Sequence, residues 1–501
     1  MPADTKASTR PVGAASVPSH LSGTPAPGTR AGFARPTGSP DPSGDTANPP
    51  APGPTPSSAN PANPTNPEIP ASPPRPGASP ASASAPVPPG ADGKLGPGEP
   101  GFGRMRLALF AAGLSTFTLL YSTQAMLPEI SRGLGATPGA ASWTVSGATI
   151  GLALAVIPLS ALSERFGRRR LLTVSLAVAV ALALLIPLAP DLGTLIALRT
   201  AQGAAIAGVP ASAMAYLADE VRGRHLVSAV GLFVAGNSVG GMSGRILAGW
   251  VTQLWGWRAA LLAVALTALL CAVAFRLLAP APRNFRATAL SARGTARTVA
   301  GHLSNPLLLR LYVIGALFMT VFGAVYTVVG YRLTSEPFGL SQGLAGSIFA
   351  IYLVGTFVST AAGRLHARLG RRGVLYLGIG TVSGGLLLSL ADHLLAVIGG
   401  LVLITAGFFA GHCVASGAVS GTAREGRAQA SGLYQMAYYT GSSLGGALGA
   451  LAFAGAGWAA TVGLALAAMV LAGGVTLYAT RQAATARPRT SPAAAPTPAR
   501  G

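Results

Sequence analysis

The feature that most limits this chain is a succession of apolar runs, each roughly the 20 residues a helix needs to cross a hydrocarbon core. They fall at 107–127, 141–162, 171–189, 192–217, 226–250, 257–278, 307–331, 342–364, 374–391, 394–418, 430–453 and 458–479. Lipid offers no partners to a bare backbone, so runs of this length are read as helices. Gly and Pro recur inside them (Pro158, Pro187, Pro210, Gly203, Gly407), as spanning helices tolerate. The expected fold is an all-α membrane protein of twelve transmembrane helices.

Composition points the same way. Half of the 501 residues are hydrophobic and 10% are charged, against roughly a quarter charged in soluble domains. The net charge of +21 would suit a nucleic-acid binder if the basic residues shared one soluble face. They lie instead in short groups between the apolar runs, so nucleic acid is not an expected partner and the lipid bilayer is. Lys6 and Lys94 are the only lysines. Of the 26 arginines between 101 and 485, an inside N-terminus puts 21 on the cytoplasmic side. Arg132, Arg258 and Arg332 then fall outside, and Arg199 and Arg245 within the bilayer. By the positive-inside rule both termini are expected to be cytoplasmic, in a multi-pass cell-membrane protein.

The first apolar run begins at Leu107 and is read as a retained helix, with no secretory signal before it. Cys271 and Cys413 both sit in apolar runs, which leaves no disulfide framework and no metal-ligand spacing. No nucleotide-binding G-x-x-x-x-G-K-[ST] signature occurs. No cofactor, metal or enzymatic centre is expected, and any energy must come from an ion gradient. Residues 1–100, rich in Pro, Ala and Gly, lack the apolar side chains that would offset backbone ordering and are expected to be a disordered cytoplasmic tail. A first six-helix bundle at 101–278, a basic cytoplasmic linker at 279–305, a second bundle at 306–480 and a tail at 481–501 complete the expected organisation.

The second half echoes the first at an offset near 203 residues. The run from Ser160 to Arg170 parallels Gly363 to Arg372, and the run from Gly236 to Gly241 parallels Gly441 to Gly446. Trp257 and Trp458 each open a sixth run. Parallel repeats of this kind put a substrate site where the halves meet.

The loop after the second run resembles the G-x-L-A-D-R-x-G-R-R-R motif of the major facilitator superfamily. Leu162, Arg165, Gly167, Arg168, Arg169 and Arg170 match it, while Ser160 replaces the first Gly and Glu164 the Asp. The second copy keeps Gly363, Arg368, Gly370 and Arg371 and has Ala367 in place of the acid. A small residue for close helix approach and a carboxylate among arginines would make a gate network in the first half. The fourth run carries Leu198-Arg-Thr-Ala-Gln-Gly203, similar to the family's R-x-x-Q-G motif, and the resemblance implies a role for Arg199 in proton movement. Gly236, Gly240 and Gly241 in the fifth run resemble the G-P-x-x-G-G motif of exporting members, with Asn237 in place of Pro. Covering 101–483, the resemblance implies two pseudo-symmetric six-helix bundles, a monomer, and export of a small molecule. The branch most similar is that of the drug- and sugar-efflux permeases related to arabinose exporters. An importer on the same scaffold, or a channel or scaffold without transport, is the rival expectation.

Arg245 is a second full charge deep in an apolar run, and such a residue is by default a functional-site candidate. It is expected either to bind an anionic or hydroxyl-rich substrate or to pair with backbone carbonyls. No Asp or Glu falls mid-run, so neutral, polyhydroxylated or anionic substrates are expected. His412 is one candidate proton carrier, because imidazole titrates near neutrality; Glu129 is the other. Tyr121, Gln124, Asn237, Tyr326, Tyr434, Gln435, Tyr438 and Tyr439 are candidate substrate contacts, since polar groups mid-span need a wet cavity or a partner.

Overall fold

The structure, a computed structural model, describes residues 93–287, 292–423 and 426–485. Of the tails expected at 1–100 and 481–501, residues 1–92 and 486–501 lie outside the described residues, while 481–485 end α13. The described chain is helical, with a single β bridge between Leu95 and Val221. In order come α1 (Pro100–Leu120), α2 (Leu127–Leu134), α3 (Pro138–Phe166), α4 (Arg168–Leu185), α5 (Leu192–Ile206), α6 (Gly208–Glu220) and α7 (Gly223–Leu278). There follow α8 (Ala292–Leu303), α9 (Pro306–Thr334), α10 (Gln342–Ser347), α11 (Tyr352–Leu388), α12 (Leu394–Thr422) and α13 (Arg427–Thr485). Starts are written locally. Thr137 caps α3 ahead of Pro138, and Asn305 caps α9 ahead of Pro306, each supplying an acceptor to orphan N–H groups. Asp191 caps α5 through the Thr194 N–H at 2.9 Å. That bond and one from the Thr194 hydroxyl hold its carboxyl below the ordinary value.

Among the described residues eight helical stretches are long and apolar enough to cross a membrane, or nine if the bent pair ending at Leu120 and Leu134 is one span. Three of the long ones are broken inside, at Gly256 in α7, at Gly370 in α11 and at Ala456–Gly457 in α13. The breaks keep the register of the repeat. Gly167 (φ +99°) and Gly370 (φ +66°) lie 203 residues apart, and both take a positive φ that side chains rarely adopt. The repeated spacing of the arginine loops thus marks a turn in each half.

Glycine at every fourth position sets the closest helix contacts. On α7, a Cβ added to Gly236 would lie 2.4 Å from the Phe110 carbonyl oxygen, and one on Gly240 2.3 Å from that of Leu114. On α13 the same holds for Gly441 against Ala316 (2.2 Å) and Gly445 against Thr320 (2.1 Å). So α1 lies on α7 as α9 lies on α13, backbone to backbone, in small-xxx-small packing. Gly363, where close approach was also expected, has no atom within 4 Å of a notional Cβ; its motif spacing brings no helix contact here.

Residues 93–99, expected to belong to the tail, are tied down. Leu95 is buried, its N–H donates to Glu220 O at 2.7 Å, and Glu99 meets Arg222 at 2.7 Å. The linker is held at the same place, where buried Glu220 accepts the Arg283 and Asn284 N–H groups at 2.8 and 2.9 Å. Its later part forms α8, docked by His302 on the Gly426 carbonyl at 3.1 Å.

Gly240→Val tests the glycine packing. It is expected to cost about 1–3 kcal/mol, the usual penalty of overpacking, read as a lower unfolding temperature in detergent. Gly231→Ala on the same helix, with nothing within 4 Å, should shift that temperature far less.

Candidate functional site

The first span does not run straight through. The α-helix stops at Leu120, the chain turns through a tighter helical stretch at Ser122–Met126, and α2 resumes at a 41° bend. Such a break frees backbone carbonyls, and at membrane depth each must find a donor. Arg199 on α5 supplies them. Its Nη1 donates to Leu119 O at 2.8 Å, its Nη2 to Leu120 O, and its Nε to Thr144 O at 3.0 Å. Gln202, three residues on, accepts a further bond from Nη1 and donates to Ala179 O at 3.2 Å. Gln342 and Tyr331 serve the carbonyls of Ala125 and Leu127 beyond the break. Arg199 is 1% exposed, and its bonds run to carbonyls and Gln202. Its position clasps the break.

Arg245 lies on the other side of the same break. Its Nε donates to Gln124 Oε1 at 2.8 Å and its Nη1 to Gly241 O. The guanidinium carbon stands 4.5 Å from the Tyr121 ring centre, 4.8 Å from Phe349 and 4.9 Å from Tyr352. Among the described residues no carboxylate forms an ion pair with it. An Arg at the centre of a bilayer costs about 2.5–3.5 kcal/mol. Three ring faces at about 0.5–2 kcal/mol each offset that cost. The cage makes the charge tolerable yet leaves it uncancelled. Tyr121 and Gln124 come from the first half, Phe349 and Tyr352 from the second, and Gln124 also reaches Thr327 Oγ1 at 3.4 Å.

An aromatic wall runs on from the cage. Tyr326, fully buried, shares a hydrogen bond with Thr405 Oγ1 at 2.6 Å and meets Tyr352 edge-on at 5.1 Å. Phe322 packs on Tyr352 at 5.3 Å and stacks on Phe408 at 4.1 Å; Phe408 stacks on His412 at 5.7 Å. His412 Nδ1 is 2.9 Å from the Tyr434 hydroxyl, and the Tyr438 ring is 4.8 Å from the imidazole. Tyr439 turns its ring edge-on to Tyr438 at 5.1 Å. The structure therefore gathers Tyr121, Gln124, Arg245, Tyr326, His412, Tyr434, Tyr438 and Tyr439 into one region. Asn237 is apart from it, packed where Gly113 leaves room, and Gln435 is half-buried. Phe322, Phe349, Tyr352 and Phe408 are wall residues that polarity alone did not flag. Phe349 lies inside a second tight stretch, Ile348–Ile351, and Tyr352 directly follows it.

The elements of the two halves also meet at the end away from the arginine loops. Ser131 and Tyr331 hydroxyls lie 2.6 Å apart, Trp250 Nε1 donates to Ser347 at 3.0 Å, and Gln253 accepts the Gly343 N–H at 2.9 Å. Ser146 donates to Ser443 O at 3.1 Å, and Ser443 meets Thr149 at 2.6 Å. Every one of these contacts joins neutral groups. At the arginine-rich end, Arg168 reaches Asp219 at 3.4 Å and Ser163 at 3.5 Å. The carboxylate that Arg168 meets is thus Asp219, on α6, and not Glu164, where a gate network was expected. Glu129, the alternative proton carrier, pairs with Arg132 at 2.5 Å.

Spanning helices, a repeated architecture and a buried polar centre shared by the halves define a polytopic membrane protein built to handle a small molecule. The family model of the Major Facilitator Superfamily matches residues 108–423, and the chain belongs to that superfamily of membrane transporters. It is 36% identical over 367 residues to the MFS-type transporter YybF of Bacillus subtilis (strain 168), covering 73% of this chain and 91% of that one. It is 36% identical over 361 residues to the inner membrane transport protein YnfM of Escherichia coli (strain K12), covering 72% and 87%. The fold is shared with a bacterial homologue of the human lysosomal transporter Spinster, in an inward-facing, unoccupied conformation. That match has TM-score 0.63 and 15% identity, over 78% of this chain and 100% of the other. A point mutant of the nucleoside transporter NupG gives TM-score 0.61 at 12% identity, over 75% and 99%.

Arg199→Ala should leave the Leu120 carbonyl short of a donor, at about 1–3 kcal/mol for the group left unsatisfied. It also removes the charged bonds to Leu119 O, which Ser122 Oγ serves as well at 3.1 Å, and to Thr144 O inside α3. A large drop in unfolding temperature is expected, with a smaller one for Gln202→Leu.

Proposed function

We propose that the chain is a secondary active exporter that moves a neutral, polyhydroxylated or anionic small molecule by proton-coupled alternating access. Division of the nine apolar stretches at the three internal breaks supports twelve spans in two six-helix bundles, 101–278 and 306–480. The arginine bias of the loops favours cytoplasmic termini. On that orientation the neutral seal through Ser131, Tyr331, Ser146 and Ser443 lies outside, and the protein is inward-facing. A monomer suffices, because both halves of the site come from one chain.

The single observation behind the reading is the Arg245 cage, a full charge held without a carboxylate by side chains from both repeats. An uncancelled cation repels cationic substrates and attracts electron-rich ones. His412, bonded to Tyr434 and joined to the cage through stacked rings, is the proposed proton carrier. The glycine columns of α7 keep the exporter resemblance, and the efflux-permease branch belongs to the same proposal.

Uptake into everted membrane vesicles, screened over sugars, neutral antibiotics and organic anions, tests it. Arg245→Ala should lower the initial rate by about 10–100-fold without matching loss of folded protein. His412→Ala should let transport run down a substrate gradient while removing its dependence on the proton gradient. Uptake by right-side-out vesicles alone would identify an importer, and unchanged gradient dependence in His412→Ala would remove the histidine from the mechanism.

A further inference from the structure

We infer that the Arg245 cage binds the carboxylate of a substrate whose body is flat and apolar, and that Tyr352 completes the site by donating its hydroxyl to that carboxylate. The inference rests on the transport reading above and narrows its substrate class, away from sugars.

Three observations converge on it. The guanidinium is buried and, among the described residues, without a counter-ion, and its bonds to Gln124 and Gly241 O are to neutral acceptors. An anion is the partner such a group lacks, and an arginine binds carboxylate more strongly than any neutral acceptor. Second, the Tyr352 hydroxyl is buried with no hydrogen-bond partner among the described residues, although its ring stands 4.9 Å from the guanidinium carbon. A buried, unpaired hydroxyl beside an uncancelled cation is arranged for an acceptor that arrives from elsewhere. Third, the buried packing that leads away from the cage is built of rings. Phe322 packs on Tyr352 at 5.3 Å and on Phe408 at 4.1 Å. Were the halves to part there, these rings would offer stacking to a planar apolar body and few hydrogen bonds to a sugar.

The location gives the chemistry a consequence. Arg245 sits on α7 and Tyr352 opens α11, one element from each repeat. A carboxylate held by both would bridge the two, so occupancy would favour the arrangement in which they meet, as differential binding requires. A neutral molecule of the same shape would stack on the wall without bridging the halves.

Isothermal titration of the purified full-length protein with 2-naphthoate and with neutral 2-naphthalenemethanol tests the class. The anion should bind about tenfold or more tightly than the alcohol. Tyr352→Phe should weaken the anion by about 3–10-fold and leave the alcohol within about twofold. Arg245→Gln should erase the preference; if that variant does not fold, Tyr352→Phe carries the test alone. Equal affinity for the two compounds, or a Tyr352→Phe protein that binds 2-naphthoate unchanged, overturns the inference. Proteoliposomes separate it from the reading beneath it. Proton-driven movement of glucose or of the alcohol, with 2-naphthoate ignored, overturns the substrate class and leaves transport standing. Binding as expected with no compound moved upholds the class and overturns transport.

Discussion

The interrupted first span is the constraint around which the rest is arranged. A helix that stops at Leu120 inside an apolar layer strands carbonyls that water cannot reach. Arg199 answers for Leu119 and Leu120, Gln342 for Ala125 and Tyr331 for Leu127. Those donors come from α5, α10 and α9, so the break is also the point where separate parts of the chain are tied together. The turn it makes aims Tyr121 and Gln124 at Arg245. Without the break there would be no cage.

Close packing and charge then divide the work. The glycine columns of α7 and α13 remove side chains from the contacts with α1 and α9, which leaves room at the next position for large groups. Gly241 is the clearest case: it stands beside the glycine contact, and its carbonyl takes one arm of Arg245. Aromatic faces make that charge tolerable, and among the described residues no acid cancels it. On the proposed reading, a site built this way is tuned for something negative or electron-rich and keeps cations out by the same field.

Much of this was legible in the sequence. The apolar runs, the repeat and the arginine loops marked a membrane fold with two related halves, because each signal repeats and each has one physical cause. Arg245, His412 and the tyrosines around them stood out because polar groups in lipid are rare and need partners. Arg199 was legible as a buried charge but its role was not, since a run of apolar residues does not show where a neighbouring helix is broken. Tyr352, Phe349 and Phe408 escaped because aromatic residues within a span look like ordinary core. Asp219 in place of Glu164 as partner of Arg168 shows the same limit. Spacing along one loop cannot tell which carboxylate a separate helix brings near.

In the proposed cycle the two halves part where they now touch through neutral groups and close at the arginine-rich end. Neutral hydrogen bonds suit a seal that must open, since breaking them exposes groups that water serves as well. The direct measurement is a disulfide between Ser146→Cys and Ser443→Cys, whose hydroxyls now bond to each other's backbone carbonyls at 3.1 and 3.2 Å, in a chain with Cys271 and Cys413 replaced by Ala. Oxidation should form the cross-link and stop proton-driven transport in vesicles, and reduction should restore it. Transport at full rate with the cross-link in place would contradict alternating access between these halves.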